Sequence, residues 1–116
     1  MPARKLALSA IRRVALALPG VAEGTSYGTP AFRFKGKLIA RLHQDGSSIM
    51  FKLGFEAREH LMRADPRTFF ITEHYRNYPS VLARLDRLSA ADLRGLLTRA
   101  IETAAARRPR KVSSRP

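Results

Sequence analysis

The stretch from Glu23 to Leu42, EGTSYGTPAFRFKGKLIARL, most constrains the fold of this chain. Pro30 has no amide hydrogen to donate and holds its φ fixed, while Gly28 and Gly36 tolerate backbone angles closed to other residues. These positions punctuate short extended segments. Between Ala31 and Lys35 the alternation predicts a strand with Phe32 and Phe34 on one side and Arg33 and Lys35 on the other. After a turn at Lys35-Gly36-Lys37 it resumes, predicting Leu38, Ala40 and Leu42 on one side and Lys37, Ile39, Arg41 and His43 on the opposite one. The unit reads as a hairpin with an apolar face for a core and a mostly cationic face for another purpose.

Charge narrows that purpose. The chain of 116 residues carries 22 Lys and Arg against nine Asp and Glu, a net +13 with a sequence pI near 11.5. Such an excess favours a polyanionic partner, nucleic acid or an anionic membrane surface. Arg107, Arg108, Arg110, Lys111 and Arg115 lie in a terminal segment without acids, yet the preceding body keeps 17 cationic and nine acidic side chains. The excess therefore belongs to the domain as well as to its end. Residues 107–116 read as a disordered basic tail and 1–106 as a single α+β domain. The absence of cysteine removes disulfide and thiolate chemistry. No apolar run reaches the length of a membrane span, and the first residues lack a secretory pattern. A cytoplasmic protein without a membrane role is the expectation.

In chain order, Leu8, Ile11, Val14, Ala15 and Leu18 recur at helical spacing until Pro19-Gly20 ends the segment. A short strand is expected over Glu23 to Tyr27, then the hairpin, then the Asp45-Gly46 turn and a strand over Ser48 to Leu53. Phe55 to Ala64 reads as a helix with Ala57, Leu61 and Met62 inward and Glu56, Arg58, Glu59 and Arg63 outward. Thr68 to Tyr75 reads as a strand, and Ser80 to Leu85 as another. Ser89 followed by Asp92 three residues later marks the start of a helix with Leu93, Leu96, Leu97, Ala100, Ile101 and Ala104 on its apolar stripe. The order helix, strands, helix, strands, helix predicts a single antiparallel sheet with helices packed on one face or end. Its uncovered face is expected to gather Arg33, Lys35, Lys37, Arg41, Lys52 and Arg84.

Three segments resemble the MmcQ/YjbR family of small bacterial proteins: SYGTPAFRFKGKLIARL from Ser26, FKLGF from Phe51, and ITEHYRNYPSVLARLD from Ile71. The most specific part is Tyr-Gly-x-Pro-x-Phe, with Gly-Lys two residues past the second aromatic. The resemblance covers Ile11 to about Ala104. It implies a YjbR-like fold, similar to frataxin-like and secretion-chaperone-like α+β domains, and DNA binding through a winged sheet. Many relatives carry a Lys and a Trp before the final strand. This chain has Arg76-Asn77-Tyr78-Pro79, which puts Tyr78 in the aromatic's place and leaves the Lys without a counterpart.

From the residues themselves, Arg33, Lys35, Lys37, Arg41 and Lys52 are candidates for phosphate contact, since alternating cations on adjacent strands suit a charged backbone. Tyr27 beside Gly28, together with Arg76 and Tyr78, joins them as a candidate for stacking or contact. Nothing frames base-specific readout, because neither a recognition helix nor a zinc module is present. His43, His60 and His74 have no metal-ligand spacing, no Gly-x-Ser-x-Gly elbow occurs, and no Gly-rich phosphate loop precedes a helix. The expectation is a sequence-tolerant DNA-binding protein without catalysis, cofactor or metal. The alternatives are a protein-interaction or chaperone-like module with no nucleic-acid role, and a small-molecule or nucleotide pocket bordered by Tyr27, Lys37 and Lys52.

Overall fold

A computed structural model of the protein describes residues 5–106. Helix α1 (Leu8–Leu16) leads into four consecutive strands, β1 (Val21–Ser26), β2 (Thr29–Phe34), β3 (Lys37–Leu42) and β4 (Ser48–Lys52). Helix α2 (Phe55–Ala64), β5 (Phe69–Phe70), β6 (Ser80–Arg84) and α3 (Ala90–Ala106) follow. The strands form one antiparallel sheet in the order β1-β2-β3-β4-β6-β5. This is the α+β arrangement and element order that the periodicity predicts. The basic tail expected over 107–116 lies outside the described residues.

Turn chemistry sets the first half of the sheet. Tyr27-Gly28 and Lys35-Gly36 are the central pairs of two-residue hairpins, with φ of 52° and 80° in the first and 48° and 86° in the second. Positive φ at both central positions is the type I′ geometry, whose twist matches that of the flanking strands. Gly20, also at positive φ (84°), has a further reason to lack a side chain. A Cβ there would stand 2.7 Å from the Phe34 ring, so glycine alone allows the α1–β1 turn to close against β2.

One face of the sheet carries the main core. Phe32, Phe51, Ile49 and Val81 meet Ile11 and Ala15 of α1 and Leu93, Leu97 and Ala100 of α3, all inaccessible or nearly so. Truncating Phe32 or Phe51 to Ala removes about 3–5 kcal/mol of stability. The N-terminus of α3 is closed by a reciprocal capping box: the Asp92 amide donates to Ser89 Oγ and the Ser89 amide to the Asp92 carboxylate, each at 3.0 Å.

Three sequence expectations change. The alternation predicted for β3 is broken by a bulge: Phe32 pairs with Ala40 and Arg33 with Leu38, so Ile39 has no partner on β2. Ile39 and Ala40 both enter the helical core, and Leu38 turns to the other face. Lys37 consequently lies on the helical side, where its ammonium donates to the Ala104 carbonyl of α3 at 3.2 Å. The strand expected over Thr68 to Tyr75 is reduced to Phe69–Phe70. The chain then leaves the sheet edge through a 3₁₀ turn at Glu73–Tyr75 and crosses the open face, where Tyr75 packs with Met50 and Leu82 in a second, smaller cluster. Tyr75 is thereby buried against apolar side chains of the open face instead of extending the edge strand.

The third change concerns α2. Arg58, expected outward, is the buried residue of that helix at 6% exposure. Its guanidinium donates to the carbonyls of Tyr75 at 3.0 Å, Arg76 at 3.3 Å and Tyr78 at 2.7 Å. Arg58 thus pins the segment that crosses the open face.

Candidate functional site

The strand registers assign every side chain on the open face. Ala22, Gly24 and Ser26 of β1 share it with Thr29, Ala31 and Arg33 of β2, Leu38 and Arg41 of β3, Ser48, Met50 and Lys52 of β4, Phe70 of β5, and Ser80, Leu82 and Arg84 of β6. Four are cationic and none is acidic. The acid within the strands, Glu23, points to the helical side and pairs with Arg12 of α1 at 2.8 Å. Among the described residues no carboxylate pairs with Arg33, Arg41 or Lys52.

The crossing segment divides this face and borders an open cleft of about 170 Å³. Leu38 and Met50 line it together with Lys52 and Ser80, and Tyr27, Arg41, His74, Tyr75 and Tyr78 complete it. All three tyrosines of the chain therefore meet at one place. Tyr27 and Tyr78 are open to solvent, at 80% and 53% exposure, and Tyr75 is buried. His74 stacks on Tyr78 with ring centroids 5.7 Å apart and meets Tyr75 edge to face at 4.8 Å.

Arg41 ties this group together. It is 4% exposed, donates to the Tyr75 hydroxyl and to Thr29 Oγ1 at 3.2 Å, and lies 5.3 Å from the centre of the Tyr27 ring. A desolvated guanidinium over an aromatic face is held by the ring quadrupole as well as by its hydrogen bonds. The buried charge is thereby shared among polar partners, as its position requires.

Of the eight predicted site residues, the cleft unites Tyr27, Arg41, Lys52 and Tyr78. The other four lie apart. Arg33 is half-buried on the open face, with its guanidinium 3.4 Å from the Thr25 carbonyl. Lys35 sits in the second I′ turn, its ammonium 5.3 Å from the Phe34 ring centre, instead of on the strand face expected for it. Lys37 occupies the helical side for the reason given above. Arg76 is exposed and pairs with Glu73 at 3.2 Å. Arg84, also expected on the open face, reaches it, with its guanidinium 4.3 Å from the Phe70 ring centre.

Sequence reasoning missed Leu38, Met50, His74 and Ser80 as cleft residues and Arg58 as the anchor of the crossing segment. The bulge hides Leu38 from any strict alternation. His74 had one signal, its place in the aromatic run His74-Tyr75 before Tyr78.

Sheet, helices and cleft define a class: a small basic α+β domain with an aromatic and cationic cleft on its open sheet face. A family model described as YjbR matches residues 16–102, and the chain belongs to the YjbR family. Its fold is similar to that in the crystal structure of Deinococcus radiodurans protein DR2400, which contains a DUF419 domain, with a TM-score of 0.67 over 83% of this chain and 76% of that one. The two sequences are 24% identical, so the likeness is one of fold. No curated protein matches the sequence. No helix among the described residues is long and apolar enough to cross a membrane.

Proposed function

We propose that this protein is a sequence-tolerant DNA-binding domain that contacts the phosphate backbone through the open face of its sheet. The observation that carries the reading is the sorting of charge by the pleat: Arg33, Arg41, Lys52 and Arg84 share a face to which the strands contribute no acid. A net +13 supports it by adding long-range attraction for a polyanion. Arg41 itself is too buried to reach a phosphate, so its part is to hold Tyr27 and Tyr75 in place while Lys52 and Arg33 meet the ligand. Lys37 contributes through the helical side and belongs to the stability of the domain. Neutralising phosphates releases condensed counterions, so affinity falls steeply with salt. Base identity matters little to such contacts.

The test is fluorescence anisotropy of a labelled duplex at several salt concentrations. Binding at low salt that weakens linearly on a log–log plot is expected, and it should persist, though reduced, after deletion of residues 107–116. Absence of binding at low salt, or binding lost entirely with those residues, refutes the reading.

A further inference from the structure

We infer that the cleft between Tyr27 and Tyr78 takes a single unpaired base, so that the protein prefers single-stranded DNA to duplex; this rests on the DNA-binding reading above. The placement of Tyr27 points to a ligand. A bulky side chain at φ 52° sits in a backbone region that favours Gly, Asn or Asp, and a type I′ turn has no need of an aromatic ring there. The ring is not used for the core either, since it is 80% exposed. Arg41 backs one side of it, which fixes its orientation without covering it.

The opposite wall of the cleft is aromatic as well. Tyr78 is exposed and stacked on His74, and the segment that carries both is pinned from beneath by the Arg58 hydrogen bonds. Two ring systems on separately anchored turns therefore border one opening, with the apolar Leu38 and Met50 inside it and Lys52 on its wall. Aromatic faces suit any base, and an ammonium beside them suits the attached phosphate.

The size of the cleft limits its occupant. Sites for drug-sized ligands and cofactors usually span roughly 300–1,000 Å³. At about 170 Å³ the cleft suits one ring system instead of a dinucleotide. A base inside a duplex is stacked and paired, and reaching the cleft would require its extrusion at an unstacking cost. Single strands avoid that cost.

The chain contains no tryptophan and its three tyrosines all line the cleft, so tyrosine emission reports on the site directly. The experiment compares a short oligothymidylate, an abasic oligonucleotide of the same length and a duplex at one salt concentration, by anisotropy and by tyrosine emission. The expected result is single-strand binding about tenfold tighter than abasic or duplex binding, with quenching by the single strand alone. Tyr27→Leu should lower single-strand affinity about tenfold and leave duplex affinity unchanged in a protein whose circular dichroism shows it folded, while Tyr27→Phe should retain the preference. Equal affinity for the three ligands without quenching overturns the inference while leaving DNA binding intact. So does a Tyr27→Leu variant that weakens duplex and single strand alike. Failure to bind any of the three overturns both readings.

Discussion

Arg41 donates from its guanidinium to the hydroxyl of Tyr75, 34 positions away in the sequence, and this bond joins β3 to the segment that crosses the open face. The pair converts a cation expected on the surface into an internal brace. Its loss leaves a buried, charged donor without an acceptor, which costs more than the bond itself contributes.

Tyr75→Phe therefore destabilises the fold by about 1–3 kcal/mol, because the ring remains and only the acceptor is removed. Urea unfolding of the wild type and the variant measures the difference. A change below a few tenths of a kcal/mol would mean that Arg41 finds another partner.

Arg58 makes a harsher case. Its planar fork serves three carbonyls of the crossing segment, and a lysine ammonium cannot reproduce that geometry. Arg58→Lys should lose about 2 kcal/mol or more and should loosen residues 73–79 before the rest of the sheet. Amide hydrogen exchange localises the effect. Uniform loss of protection across the domain would contradict it.

Tyr27 and its backbone are opposed. Replacing it with Asn relieves a left-handed conformation that costs a bulky side chain about 1–2 kcal/mol, more than the roughly 0.5–1 kcal/mol lost with the exposed ring's contact to Arg41, and should raise stability. The same change removes the exposed ring and should weaken single-strand binding. A thermal melt and an anisotropy titration on one variant therefore move in opposite directions, a trade common at binding sites.

Lys52 and Lys37 separate ligand contact from scaffolding. Lys52→Ala should reduce the slope of log affinity against log salt by about 1, the signature of one lost phosphate contact. Lys37→Ala should leave that slope unchanged and cost about 0.5–1 kcal/mol, since its ammonium meets the carbonyl end of α3. Salt titrations paired with chemical denaturation distinguish the two.

The Asp45 turn carries a pH dependence. Burial acts to raise the pKa of this carboxyl, but hydrogen bonds from the Ser47 and Ser48 amides and the Ser48 hydroxyl, with His43 nearby, outweigh it and hold the pKa below 3.8. A folded-state pKa below the unfolded value stabilises the protein above the unfolded pKa, and that contribution is lost as pH falls through the folded one. The site is mostly solvated, so the effect stays within about 1 kcal/mol. Asp45→Asn should be less stable than the wild type at neutral pH, with the gap closing under acid. A gap that persists at low pH would point to shape in place of charge.

Much of the architecture is written locally. Gly28 and Gly36 mark two tight turns because each supplies a positive φ that glycine adopts without strain, and Ser89 with Asp92 marks the start of α3 because the cap is made within one turn. These are interactions between near neighbours, and residue spacing expresses them. The fate of each cation was decided by tertiary structure alone. A single unpaired residue at Ile39 sends Lys37 to the helices, Arg41 and Arg58 are drawn inside by acceptors supplied from residues 75–78, and three tyrosines distant in sequence meet in one cleft. Alternation tells which side chains share a face, but whether a charge on that face meets water, a ring or a carbonyl depends on chain that arrives from elsewhere.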